Sequence, residues 1–329
     1  MTTLNIDRKW IMVEPSMVKG EGYPPPSPTS PWVNNTFIND CRLLRATKYH
    51  ILSPSLSKDK ADVYFLITCI NSHLEEEIEF AKRVRREGSK IVLAISADGR
   101  FSSGQGLMCS SSGFLYTDLC QEVDVICSGV SSDVHIYGSS QHKVVEVGEF
   151  VEQLNFSTTP FNNRTIDMLG TGFVDEASLS FSIVFFLMLK ERYPNKRFVY
   201  AFRADPQYDM LYELVSKRYP QIEFSRKDMP SLLNQSKAYS NLEPRVRGGR
   251  ALLEAWYHRV PSIGYSQTYF SKLYPEFAFS NMSFDNLVNI YERMLNSDYE
   301  YIIQKAGDII SYDSAENVYE RIINKLDGK

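Results

Sequence analysis

Cysteine is scarce in this chain, and no two cysteines lie at CxxC spacing. Cys41, Cys69, Cys109, Cys120 and Cys127 are five in 329 residues. An odd, unclustered set offers no disulfide framework and reads as reduced thiols of a cytosolic protein. The five histidines are equally scattered. Without a Cys/His cluster or an HExxH helix, no metal is expected. No apolar run approaches the ~18 residues of a membrane span; the densest, Ile183 to Leu189, is far shorter. The opening MTTLNIDRKW has no apolar signal region. These absences together predict a cytoplasmic protein, a monomer or weak dimer, with no membrane partner. Charge is close to balanced, with 36 Lys and Arg against 40 Asp and Glu and a net −4. That gives no global support for nucleic-acid binding, which relies on excess basic charge. There is no internal repeat, Walker loop, GxGxxG or Asp-x-Asp.

What is present is ordinary globular composition, 43% apolar and 23% charged, in a chain long enough for two medium domains. Short β-branched or aromatic runs alternate with helical stretches throughout, which predicts parallel sheets in an α/β fold, twice over. Strands are expected at Trp10–Val13, Ile51–Leu52, Asp62–Thr68, Lys90–Ser96, Val123–Ser128 and Val144–Val147. A second series covers Thr165–Leu169, Arg197–Phe202, Ile222–Phe224, Ser262–Tyr265 and Ala278–Phe279. Helices are expected at Val33–Tyr49, His73–Gly88, Leu115–Glu122, Ser178–Arg192, Tyr208–Tyr219 and Ala251–His258. Three more close the chain, at Ser283–Leu295, Tyr299–Ile310 and Ser314–Leu326. The polar segment Gln153 to Asn163, with Pro160, is the expected linker, dividing domains 1–155 and 156–329.

The most informative stretch is Glu243 to Tyr265, EPRVRGGRALLEAWYHRVPSIGY. A Gly pair, Gly248 and Gly249, feeds directly into a helix-like run. Backbone N–H groups and the positive end of the helix dipole then converge on one spot, which is an anion site, most often for phosphate. Arg245, Arg247 and Arg250 would add forked hydrogen bonds for a diphosphate. Glu254 lies one turn beyond Arg250 on the same face. A plain reading stands beside this one: a flexible Gly-Gly turn and a surface i,i+4 pair.

Other candidates lie where strands end. Asp98 follows the Lys90–Ser96 strand, placed to act as a base; equally, Asp98–Gly99 is a common turn pair. Arg203 follows the Arg197–Phe202 strand, as a phosphate or base contact or as an ion-pair partner of Asp205 or Asp209. The Pro-rich loop Met17 to Trp32 follows the first strand, where α/β domains build sites. It is either an acceptor-binding lid, with Glu21 and Tyr23 in contact, or a surface loop.

The central stretch resembles the donor-site motif of GT-B glycosyltransferases. Leu253–Glu254–Ala255 matches the family's "LEA" helix, and Val260–Pro261–Ser262–Ile263 its Pro-containing strand entry. The resemblance implies two Rossmann-like doubly wound domains facing a cleft, with C-terminal helices crossing back. It also implies a nucleoside-diphosphate sugar donor, a UDP-sugar foremost. By resemblance the Glu254 position binds the ribose and the Gly loop approaches the diphosphate. Gly170 and Gly172 would form the turn after the second domain's first strand, and Arg226 belongs to the loop near the nucleotide base. The second Glu of many retaining members would fall at Val246, and the family's usual Arg and Lys near Asp175 are absent. The lack of Asp-x-Asp counts against the metal-dependent GT-A alternative. A narrower likeness links Asp98–Gly99–Arg100 to phage β-glucosyltransferases that modify hydroxymethylated DNA bases, in which the Asp is the catalytic base. Arg100 would then contact the acceptor. The combined expectation is an inverting glycosyltransferase with Asp98 as base and an acceptor hydroxyl foremost on a hydroxymethylated DNA base, with a glycan or a small molecule as the alternative. A sugar-nucleotide epimerase and a non-catalytic nucleotide-binding module remain as alternative classes.

Overall fold

The structure is a computed structural model. It describes residues 8–13, 51–52, 60–68, 74–95, 111–128, 137–147, 159–171, 176–202, 206–242, 250–266, 269–281 and 283–329. These residues fall into two compact units. The first holds those of Met1–Glu152 and Tyr312–Lys329; the second holds those of Gln153–Pro244 and Gly249–Ser311.

The first unit is a six-stranded parallel sheet. Its strands are β1 (Trp10–Val13), β2 (Ile51–Leu52), β3 (Val63–Thr68), β4 (Lys90–Ile95), β5 (Val125–Ser128) and β6 (Val144–Glu146), in the order β2-β1-β3-β4-β5-β6. The runs WIMV, VYFLIT and KIVLAI are apolar on both sides because both faces of the sheet are covered. Tyr64, Leu66, Ile91, Leu93 and Ile126 share one core with Ile78, Phe80, Ala81 and Val84 of α1 (Leu74–Arg86) and Leu119 of α2 (Ser111–Glu122). α1 has Glu75, Glu76 and Glu77 in its first turn and Arg83, Arg85 and Arg86 in its last, matching its dipole. Gly88 ends it at φ 82°, a left-handed conformation that glycine adopts without steric cost.

The opposite face carries Trp10, Val63, Phe65, Val92, Val125 and Val145. The chain's last helix covers it with Val318, Ile322 and Leu326. Arg321 of that helix donates through Nη1 to the Tyr312 carbonyl (2.7 Å) and through Nη2 to the Glu146 carbonyl (3.0 Å). Arg8 and Asp327 pair at 2.5 Å.

The second unit repeats the plan. Its strands are β7 (Met168–Thr171), β8 (Phe198–Ala201), β9 (Glu223–Ser225), β10 (Tyr239–Asn241), β11 (Ser262–Tyr265) and β12 (Ala278–Phe279), ordered β12-β11-β10-β7-β8-β9 and all parallel. The helices that follow in chain order are α3 (Glu176–Arg192), α4 (Asp209–Arg218), α5 (Met229–Asn234), α6 (Arg250–Tyr257), α7 (Phe284–Asn296) and α8 (Tyr299–Tyr312). The last helix of the first unit is α9 (Ala315–Leu326).

One local expectation needs correction, and two elements were not foreseen. The strand expected at Thr165–Leu169 lies later, at Met168–Thr171, so Gly170 is a strand residue rather than part of a turn. Its lack of a side chain has a packing reason: a Cβ there would lie 2.7 Å from the Phe186 ring of α3. The segment Met229–Asn234, given no element from sequence, is the helix α5, with Asp228 Oδ1 accepting from the Ser231 N–H at 2.9 Å. Tyr239–Asn241 is a strand, β10, which its three residues do not announce. The helix expected at Val33–Tyr49 lies outside the described residues.

The strand N-termini of the second unit are tied by charge. The guanidinium of buried Arg164 donates to the carbonyls of Thr159 (3.0 Å), Ser236 (2.8 Å), His258 (3.0 Å) and Arg259 (3.1 Å). Asp167 accepts from Lys196 (3.1 Å), Lys237 (3.2 Å) and the Arg197 N–H (2.9 Å). Burial alone would raise the Asp167 carboxyl, but these donors hold it below the usual carboxylate range.

Candidate donor site

In the second unit, the crossovers after β7 and β8 run outward in one direction and those after β10 and β11 in the other. The reversal falls between β7 and β10, which are paired through Leu169–Tyr239, Gly170–Ser240 and Thr171–Asn241. In open parallel sheets a ligand crevice forms at this reversal, beyond the carboxyl ends of the strands. Thr171 and Asn241 stand at those ends, and the Thr171 hydroxyl is hydrogen-bonded to the Tyr239 phenol. Neither hydroxyl was singled out from sequence, because only the strand register brings residues 171 and 239 together.

α6 begins in the same region, after β10. It forms where ALLEAWY supplies good helix formers, and its buried side is Leu252, Leu253, Ala255 and Trp256, the last 4.8 Å from the Tyr274 ring at a tilt of 42°. That packing turns Glu254 to a partly open position on the helix's other side. The helix closes on a backbone bond from the Val260 N–H to the Ala255 carbonyl (2.9 Å), with Arg259 at φ 56° in the place glycine favours. Pro261 then leads into β11.

At the far edge, Arg226 follows β9. It pairs with Asp209 at 2.5 Å and lies 4.3 Å over the Tyr212 ring. Asp209, one of the alternatives proposed for Arg203, is therefore engaged by Arg226.

The structure thus places Gly170, Glu254 and Arg226 in one unit, the first two on elements flanking the reversal and Arg226 beyond the edge strand. Arg250 opens α6. Gly172, Arg203, Arg247, Gly248, Gly249, Asp98, Arg100, Glu21 and Tyr23 lie outside the described residues. Among the described residues, no group of three or more His, Cys, Asp or Glu is arranged to hold a metal. No helix among them is long and apolar enough to cross a membrane.

No protein-family model matches the chain, and no curated protein matches it in sequence. Solved structures do match in shape. TarM of S. aureus, solved as a mutant with fondaparinux, alpha-GlcNAc-glycerol and UDP, is 12% identical at a TM-score of 0.56. That match covers 80% of this chain and 55% of TarM, so the chain spans about half of that protein's length. HepE of Anabaena, solved with UDP and glucose, is 10% identical at a TM-score of 0.60, with 98% of this chain and 100% of that one covered. A trehalose-6-phosphate synthase, studied for glycosyl transfer with retention, is 12% identical at 0.59, covering 84% and 75%. With so little identity the likeness is one of backbone and topology, and the chain has the α/β fold of the GT-B glycosyltransferases, built on two doubly wound parallel sheets.

Proposed function

We propose that this chain is a glycosyltransferase that moves a sugar from a nucleoside-diphosphate sugar to an acceptor hydroxyl. The observation that carries the reading is the start of α6 beside the β7–β10 reversal, with Glu254 on its open side. In sequence, Arg247, Gly248 and Gly249 come immediately before that helix. The solved neighbours TarM and HepE, which hold UDP, support the same reading.

In this reading the donor diphosphate rests against the Gly248–Gly249 backbone and the N-terminus of α6. Arg247 and Arg250 supply charge, with Arg203 and the segment Gly170 to Gly172 alongside. Glu254 accepts from the ribose hydroxyls. The leaving diphosphate is stabilised by positive groups already in place, which removes the need for reorganisation during transfer. Asp98 takes the acceptor proton as the hydroxyl attacks the anomeric carbon, with Arg100, Glu21 and Tyr23 on the acceptor side. Val246, where a second Glu would stand in many retaining enzymes, favours inversion; the trehalose-6-phosphate synthase neighbour is described with retention. For the acceptor, net −4 favours a glycan or small molecule over a DNA base.

The test is a thermal-shift screen against UDP, GDP, ADP, CMP and their sugars. A ligand that binds only the folded state raises the midpoint. Glu254→Ala and Arg250→Ala are each expected to weaken the active nucleotide by ~1–3 kcal/mol, as lost charged hydrogen bonds do. Asp98→Ala is expected to keep donor affinity while losing transfer, and NMR of the product anomer reads the stereochemistry. No shift with any nucleotide sinks the donor site, and unchanged affinity in both variants removes Arg250 and Glu254 from it.

A further inference from the structure

Three large apolar side chains stand exposed among the described residues: Val184, Met210 and Leu214. A single exposed apolar residue is ordinary on a protein surface. Met210 and Leu214 are not single. They lie four residues apart on α4, so one helical turn sets them side by side. Met210 is 83% exposed and Leu214 60%, whereas Val215 is the residue that α4 buries. The outer side of α4 therefore carries apolar surface that its own unit does not cover.

Charge says what covers it. Glu213, Lys217 and Arg218 are exposed on the same helix, and among the described residues none of the three has an ion-pair partner. Asp209, by contrast, is held by Arg226. α4 thus presents an acid beside its apolar pair and bases toward its C-terminal end. That pattern complements itself when reversed. Let two copies of α4 cross antiparallel on a two-fold axis at Leu214, so that each Leu214 packs on the other. At ~1.5 Å of rise per residue, Met210 then meets the aliphatic stems of the second copy's Lys217 and Arg218. Glu213 comes within about one turn of the second copy's Lys217. An anionic membrane would suit the two bases but set Glu213 against like charge.

We infer that this face of α4 is where two copies of the chain associate, on a two-fold axis with their α4 helices antiparallel. The inference stands apart from the donor-site reading above. Magnitude sets the strength of the contact. α4 has ten residues and spans ~15 Å. One such helix pair buries less than the ~1,200–2,000 Å² of a stable interface. The dimer is therefore weak and forms with rising concentration, its orientation fixed by the charges and its attraction by Met210 and Leu214.

The experiment is sedimentation velocity of the full chain over a wide concentration range. Wild type is expected to move from the monomer mass toward twice that mass as concentration rises. Leu214→Glu is expected to stay at the monomer mass. Glu213→Lys sets bases against bases and is expected to weaken association about tenfold or more. Glu213→Lys combined with Lys217→Glu swaps the pair and is expected to return association to within about threefold of wild type. A wild type that is monomeric at every concentration overturns the inference. So does a dimer unchanged by Leu214→Glu, which would place the interface elsewhere, and a swap that recovers nothing, which would remove the antiparallel pairing. Flotation with phosphatidylserine vesicles reads the other occupant. Vesicle binding that Glu213→Lys strengthens and Leu214→Glu abolishes would make α4 a membrane face and overturn the dimer. Should Leu214→Glu not fold, Met210→Gln reads the same change of mass.

Discussion

At the scale of single residues, His258 has the clearest consequence. Its ring is buried beside the Arg164 guanidinium, with Nδ1 2.9 Å from Asn234 Oδ1. Desolvation first, and the Arg164 charge second, push its pKa down to about 4. The folded protein thus keeps this ring neutral where the unfolded chain, near 6.5, takes up a proton. Stability from this group is complete above pH 6.5 and is lost as pH falls toward 4. A shift of this size corresponds to about 3 kcal/mol at most, less after relaxation around the ring. Urea unfolding of wild type and His258→Gln at pH 7.5 and 4.5 should show a smaller acid loss in the variant. Equal losses would mean that the ring is not held neutral.

At the scale of elements, the exit of α6 is under local strain. Arg259 holds φ 56°, a conformation costing a non-glycine residue roughly 1 kcal/mol. What the position contributes is backbone: its N–H bonds the Trp256 carbonyl at 2.8 Å, and its carbonyl accepts from Arg164 at 3.1 Å. Its side chain is exposed. Arg259→Gly is therefore expected to stabilise the protein by about 0.5–1 kcal/mol. A lower midpoint in chemical denaturation would show that the Arg259 side chain has a role of its own.

At the scale of the molecule, the chain's end completes the core at its beginning. Ile322 is 5% exposed, in one cluster with Trp10, Val63 and Val145. Ile322→Ala is expected to cost about 2–4 kcal/mol, as buried large-to-small changes do. Hydrogen exchange gives the sharper test. Protection should fall in β5 and β6, which α9 contacts, and hold in β8 of the second unit. Equal losses in both units would show that they unfold as one.

Much of this was legible in the amino-acid order because it is local physics. Apolar runs such as WIMV, VYFLIT and KIVLAI specify buried parallel strands whatever surrounds them. The charge order of α1, Gly88, and the Pro261 that follows α6 mark helix ends for reasons internal to a few residues. The alternation of strands and helices, and the Gly248–Gly249 pair before a helix carrying Glu254, were likewise readable in one dimension. Strand order was not, because it depends on which distant segments pair. So the sequence by itself determined most of the elements and the α/β class. Only the tertiary structure showed that β10 exists and pairs with β7, and that Gly170 yields space to Phe186. It also showed α9 on the first unit's sheet and Asp209 and Tyr212 around Arg226. Each of these joins residues far apart in the chain, and the contact that fixes it appears only when the chain has folded.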